Sequence, residues 1–109
     1  MQERTGGIMN KVEKLLTDLG DDWHTVVDNL KSMGITASQG CDFTDCPIAI
    51  YLKMNGCSFV SVRKDGIRYK FKNGASGIID VSRSSYFYYI NQFMDEFDYG
   101  RVKGLYSYD

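Results

Sequence analysis

The sequence is poor in the residues that interrupt or cross-link a chain, with one proline, one histidine and three cysteines among 109 residues. No apolar run approaches the roughly 20 residues that a membrane-spanning helix needs. No charged start followed by an apolar stretch marks a secretory signal peptide. An odd number of cysteines without such a signal is typical of reduced thiols rather than of a disulfide framework. These absences predict a cytoplasmic protein that makes no membrane contact.

The sequence also lacks a strong excess of charge of either sign, since its formal net charge is −1. This balance excludes a protein whose whole surface attracts nucleic acid, although a local basic patch stays open. The hydrophobic share of 43% and the charged share of 25% are ordinary for a globular domain. Residues 1–8 show no periodicity and are predicted to be a leader that is non-native or disordered, with Met9 as the native start. Residues 9–109 are predicted to form a single α+β domain.

The spacing of apolar residues predicts three helices, then three strands, then a fourth helix. Apolar residues of the predicted second strand (Ile67, Tyr69, Phe71) alternate with basic residues, which gives the strand one dry face and one basic face. The dipeptide Asp65-Gly66 predicts a two-residue hairpin turn before this strand. The order α-α-α-β-β-β-α indicates a small antiparallel three-stranded sheet packed against about four helices.

The predicted hairpin carries a cluster of cations opposed only by Asp65. Its basic residues are Arg63, Lys64, Arg68, Lys70 and Lys72. Such a stripe can bind the phosphates of a nucleotide or nucleic acid, or an acidic protein surface. The alternative is a solvated sheet face whose charges discourage aggregation.

Tyrosine is abundant, with eight residues in the chain, and most lie in the last quarter. Because successive helical residues point about 100° apart, the fourth helix cannot bury all of Tyr86, Phe87, Tyr88 and Tyr89. Tyrosine is favoured at protein interfaces. The candidate contact residues for a protein partner, or for a second copy in a homodimer, are Tyr88, Tyr99, Tyr106 and Tyr108. Packing within the core is the alternative role.

Catalytic and metal-binding motifs are missing from the sequence. Cys41, Cys46, Cys57 and His24 supply enough ligand types for a zinc site or a thiol enzyme, but their spacing matches no zinc motif. The glycines of Asn73–Gly77 lack the Lys-Ser/Thr pair of a phosphate-binding P-loop. We therefore expect no enzymatic activity, no cofactor and no bound metal, with a small Cys/His metalloprotein or thiol enzyme as an alternative.

Two segments resemble motifs of a known group of proteins. Cys46–Leu52 resembles the motif Cys-Pro-Leu-Ala-x-Tyr-Leu, and Phe93–Gly100 resembles the motif Phe-x-x-x-Phe-Asp-x-Gly. Both occur in this order in short uncharacterised proteins of actinobacteria and their phages, with a strand pair between them. The likeness spans residues 34–105, and the basic hairpin and the tyrosines depart from it. The resemblance implies a fold and an origin, and no activity.

Together these patterns predict a small non-enzymatic binding protein. The resemblance adds the expectation of a phage or mobile-element accessory protein that inhibits a host factor by direct contact. The alternative from the basic hairpin is a nucleotide or nucleic-acid binder, whose affinity falls steeply with salt.

Overall fold

The computed structural model describes residues 10–107, and their helices and strands follow the predicted order. The elements are α1 (Lys11–Leu19), α2 (Trp23–Ser32), α3 (Pro47–Met54), β1 (Cys57–Arg63), β2 (Gly66–Phe71), β3 (Ser76–Ile79) and α4 (Tyr88–Asp98). The strands form one antiparallel sheet in the order β1-β2-β3. This arrangement confirms the predicted α+β fold. The predicted leader, residues 1–8, lies outside the described residues.

Side-chain caps start the first two helices. At α1, Glu13 N–H donates to Asn10 Oδ1 at 2.8 Å and Asn10 N–H donates to Glu13 Oε1 at 3.0 Å, which completes a capping box. At α2, Thr25 N–H donates to Asp22 Oδ1 at 2.8 Å. This bond lowers the pKa of Asp22.

The hairpin turn lies one residue earlier than the Asp65-Gly66 signal predicts. Arg63 pairs with Gly66, so Lys64 and Asp65 form the two-residue loop. Gly66 is needed for close approach instead, because a Cβ there would lie 3.1 Å from the carbonyl oxygen of Ile79 on β3. The alternation predicted for β2 is confirmed at Ile67 and Tyr69, which are buried between exposed basic residues, whereas Phe71 at the end of the strand is half-buried.

The core lies between the inner face of the sheet and the helices. Two buried tyrosines join α3 and α4 to α1 by hydrogen bonds. Tyr51 Oη donates to the carbonyl of Leu15 at 2.6 Å, and Tyr89 Oη donates to the carbonyl of Leu16 at 2.8 Å. Residues with essentially no exposed surface fill this space: Phe93, Phe97, Leu16, Leu19, Leu30, Ile48, Leu52, Ile67, Ile90, Leu105, Val12 and Val26.

The C-terminal segment packs back onto the domain. A Schellman motif ends α4, because Gly100 N–H donates to the Phe97 carbonyl and Arg101 N–H to the Glu96 carbonyl, both at 3.0 Å. Gly100 has a φ of 73°, which favours glycine at this position. Farther on, Ala37 N–H donates to the Leu105 carbonyl at 2.9 Å. The chain beyond α4 is therefore held against the loop that follows α2.

Within residues 10–107, every helix is too short or too polar to cross a bilayer.

Candidate functional site

Within residues 10–107, the outer face of the sheet is exposed to solvent except at Ser61 of β1 and Gly66 of β2, which are buried. Cross-strand pairing places Phe59 of β1 beside Lys70 of β2, and Arg68 of β2 beside Ile78 of β3. Directly paired residues share a face, and alternation along β1 adds Arg63 to it. We call these five residues the open sheet face: Phe59, Arg63, Arg68, Lys70 and Ile78.

Two apolar side chains on this face are unusually exposed. Phe59 is 47% exposed and Ile78 is 60% exposed, whereas the residues of the opposite face are buried. The two lie on the outer strands of the sheet, with Arg68 and Lys70 between them on β2. The face therefore combines apolar surface with cationic groups.

Arg63 extends the open sheet face toward the edge of β1. Its guanidinium carbon lies 4.4 Å from the centroid of the Phe43 ring, within the range of a cation–π contact. Phe43 is held there because its carbonyl accepts a hydrogen bond from Val62 N–H at 2.9 Å. The stack fixes Arg63 at the rim and leaves Phe43 itself 53% exposed.

The cations of the open sheet face lack acidic partners among the described residues. Neither Arg68 nor Lys70 forms a salt bridge with any carboxylate of residues 10–107. Asp80, just beyond β3, accepts a hydrogen bond from Ser82 N–H at 2.8 Å, and this bond lowers the pKa of Asp80. The positive charge of the face is therefore available to a ligand of opposite charge.

The remaining two cations of the predicted basic cluster lie away from this face. Lys64 forms a salt bridge with Asp95 of α4, and that hydrogen bond, opposed by desolvation, raises the pKa of Lys64. Lys72 is exposed beyond the end of β2, where its N–H donates to the Gly56 carbonyl at 3.3 Å. The structure thus brings three of the five predicted basic residues together on the open sheet face.

The candidate tyrosines separate into different environments. Tyr99 is 69% exposed and lies beneath Arg101, whose guanidinium carbon is 4.9 Å from the ring centroid. Tyr88 is half-buried. Tyr86 precedes the first residue of α4, Tyr88, and is 64% exposed. Tyr108 lies outside the described residues.

Tyr106 is a core residue, which corrects its place among the candidate contacts. It is 2% exposed, and its Oη donates to the carbonyl of Phe97 at 2.6 Å. Its ring centroid lies 4.7 Å from that of Phe97. The burial that makes Tyr106 important for the fold removes its side chain from any partner.

Two of the cysteines line a small cavity. A metal site or a thiol active site built on both of these cysteines would have to lie in this cavity. Cys41 and Cys46 line a cavity of about 140 Å³ floored by apolar residues such as Phe93 and Val62. Burial raises the pKa of both thiols, that of Cys46 to about 11, so few thiolates exist near neutral pH. His24 lines a different cleft. Within the described part of the chain, no group of three or more His, Cys, Asp or Glu residues is placed to hold a metal ion.

Phe59 and Ile78, the apolar residues of the open sheet face, were not predicted from the sequence. The signal for Phe59 was present, because Phe59, Ser61 and Arg63 alternate and therefore share a face. The signal for Ile78 was absent, because its side is set by the pairing of β3 with β2, which local sequence does not specify.

No family model matches the chain, and no curated protein or solved structure matches it. The resemblance to actinobacterial and phage proteins therefore stays a prediction, and function has to be argued from the site itself.

Proposed function

We propose that this chain is a small non-enzymatic binding protein whose open sheet face binds an acidic protein surface with apolar residues at its centre. The observation that carries the proposal is the exposure of Phe59 and Ile78 on either side of Arg68 and Lys70, which lack carboxylate partners among residues 10–107. Aromatic residues and arginine are the types enriched at interface hot spots.

The energetics of the face favour a partner that covers both kinds of group. Full burial of a Phe or Ile side chain contributes about 1.5–3 kcal/mol, and roughly half of each side chain is still exposed. Completing their burial therefore contributes about 1 kcal/mol each. The cations contribute mainly specificity and association rate, because they repel basic partners and attract acidic ones.

The biological setting is part of the same proposal. We place the protein in the cytoplasm, as an accessory protein of a phage or mobile element that inhibits a host factor by contact. The motif resemblance of Cys46–Leu52 and Phe93–Gly100 supports this setting. A second copy of the chain is an alternative partner, because β3 is an edge strand of the sheet.

The proposal is tested by affinity capture from host cells with matched variants. Phe59→Ser and Ile78→Ser remove the apolar centre, and we expect each to weaken capture of the partner about fivefold. Met33→Ser and Met54→Ser are the controls, because these methionines are 42% and 61% exposed and lie outside the sheet, Met33 just after α2 and Met54 at the end of α3. Thermal unfolding shows whether all four variants remain folded.

The captured partner must also show the predicted chemistry. Charge reversal by Arg68→Glu is expected to weaken capture, with an effect that shrinks at high salt. Equal loss in the methionine controls, or unchanged capture by both face variants, would contradict the proposal. Sedimentation velocity of the purified chain tests the homodimer alternative. This alternative predicts a concentration-dependent shift to twice the monomer mass.

A second candidate function is binding of single-stranded nucleic acid on the same face. Phe59 lies beside Lys70, and an exposed ring next to cations is the pairing that stacks bases and binds phosphates. Fluorescence anisotropy with labelled single-stranded DNA and RNA tests it. This function predicts affinity that falls linearly in log–log form with salt and drops on Phe59→Ser. Absence of binding at low salt contradicts it.

A further inference from the structure

A second candidate site is an open cleft of about 400 Å³ beside α2. Its volume falls in the range of roughly 300–1,000 Å³ that small-molecule sites occupy. One wall is the face of α2 that carries Trp23, Val27 and Lys31 at helical spacing of four residues. The other wall is the segment after α4, residues 101–103. None of these residues belongs to the open sheet face.

Cations dominate the charged groups of this cleft. Lys31, Arg101 and Lys103 line it, against the single lining carboxylate of Asp28. Arg101 also contacts Glu96, with Nη1 at 3.4 Å from Oε2. A guanidinium has five N–H donors, so this long contact leaves donors for another anion. The cleft therefore favours a ligand with more than one negative charge.

Two stacked aromatic rings line the same cleft. The ring centroids of Trp23 and His24 lie 3.7 Å apart with an interplanar angle of 26°. His24 is exposed and Trp23 is half-buried. A planar ring that enters the cleft can extend this stack, and stacking of a base on an aromatic side chain contributes about 1–3 kcal/mol.

The backbone holds the cationic wall in place. The Schellman motif that ends α4 fixes the direction in which Arg101 leaves the helix. Gly104 has a φ of 94° and no side chain, and a Cβ there would lie 2.7 Å from Lys31 Cε. The aliphatic stem of Lys31, on the α2 wall, therefore packs against the backbone at Gly104, just beyond the opposite wall. This contact holds the Lys31 ammonium group near the other cations of the cleft.

From these contacts we propose that the cleft binds a nucleotide, with Lys31, Arg101 and Lys103 holding the phosphates and the Trp23–His24 stack holding the base. Phosphate supplies the negative charge that three cations require, and a purine ring supplies the planar surface that the stack offers. This site is independent of the partner proposed for the open sheet face.

The single tryptophan of the chain makes the test direct, because all tryptophan fluorescence arises within this cleft. The purified protein is titrated with ADP, with adenosine and with inorganic phosphate, and quenching is followed for each. We expect ADP to quench saturably and to bind at least about tenfold more tightly than either fragment. Calorimetry of ADP binding gives the affinity independently of quenching.

Matched variants assign the binding to the cleft. The double variant Lys31→Gln/Lys103→Gln removes two phosphate contacts and is expected to weaken ADP binding about tenfold or more. Arg83→Gln removes an exposed cation elsewhere and is expected to leave it unchanged, as is Ile78→Ser on the open sheet face.

Three results would overturn the nucleotide proposal: no ADP binding at millimolar concentration, equal binding by the double variant, or phosphate binding as tightly as ADP. The last result indicates an anion site to which the aromatic stack adds nothing. Because Ile78→Ser affects only the sheet-face function, failure of one proposal is distinguishable from failure of the other.

Discussion

Replacing Tyr106 tests whether the C-terminal segment is part of the core. Tyr106→Phe removes the Oη that donates to the Phe97 carbonyl at 2.6 Å and accepts from Val102 N–H at 3.4 Å. The Phe97 carbonyl keeps its hydrogen bond from Gly100 N–H, but the buried Val102 N–H loses this acceptor. Unsatisfied buried polar groups cost about 1–3 kcal/mol. We therefore expect the free energy of unfolding to fall by about 2 kcal/mol.

Tyr106→Ala removes the ring as well as the hydroxyl. Because the side chain is 2% exposed and packs against the Phe97 ring, the change leaves a cavity and is expected to cost about 3–5 kcal/mol. Urea unfolding followed by circular dichroism measures both variants. The matched control is Tyr99→Phe, at a tyrosine that is 69% exposed, where we expect a change within about 0.5 kcal/mol. Equal stabilities for Tyr106→Ala and Tyr99→Phe would refute the packing of the C-terminal segment.

Three further predictions follow from the core, the sheet and the surface. Burial raises the pKa of the Cys46 thiol from its ordinary value of 9.0 to about 11 in the folded chain. The unfolded chain therefore loses this proton first, and the free energy of unfolding falls as pH rises from 9.0 to about 11. The urea midpoint of Cys46→Ala should fall less than that of the unchanged protein over the same pH range. Gly77→Ala would place a Cβ 2.5 Å from Tyr69 Oη and should cost about 1–3 kcal/mol, whereas Gly40→Ala, with open space around it, should be near neutral in the same assay. Lys64→Gln breaks only the exposed pair with Asp95 and should change the unfolding free energy by less than about 1 kcal/mol, which thermal unfolding at two salt concentrations measures.

The element order was predictable because each element carries its own periodic signal. The alternation of Ile67 and Tyr69 with Arg68 and Lys70 is a local property of β2, and burial follows it in the structure. The helices likewise show their apolar residues at regular spacing, and Asp22 is of a residue type that commonly caps a helix, as it does at α2. Such signals need no information about distant parts of the chain.

Which tyrosine side chains are buried could not be predicted, because contacts between residues distant in sequence determine their burial. Tyr89 is buried, and its Oη donates to the carbonyl of Leu16, 73 residues away along the chain. Tyr106 is buried where the C-terminal segment meets α4 and the loop at Ala37. At these two positions tyrosine serves internal packing, whereas contact with a partner through the exposed tyrosines stays a prediction.

The two candidate sites show the same limit. The open sheet face needs the register of β3 against β2, and this register places Ile78 beside Arg68. The cleft forms because α2 lies beside the residues that follow α4. Trp23 and Arg101 therefore line the same cleft only in the folded chain. The cations of the hairpin were therefore predictable from local sequence, whereas the apolar half of that surface and the whole cleft were not.

The central claim, that the open sheet face contacts a protein, is tested most directly by site-specific photo-crosslinking in cells that produce the protein. A benzophenone amino acid replaces Ile78 in one variant and Met33, an exposed residue after α2, in the control. The account predicts one discrete protein adduct from position 78, lost when Arg68→Glu is added, and no such adduct from position 33. The same adducts from both positions, or none from position 78, would contradict it.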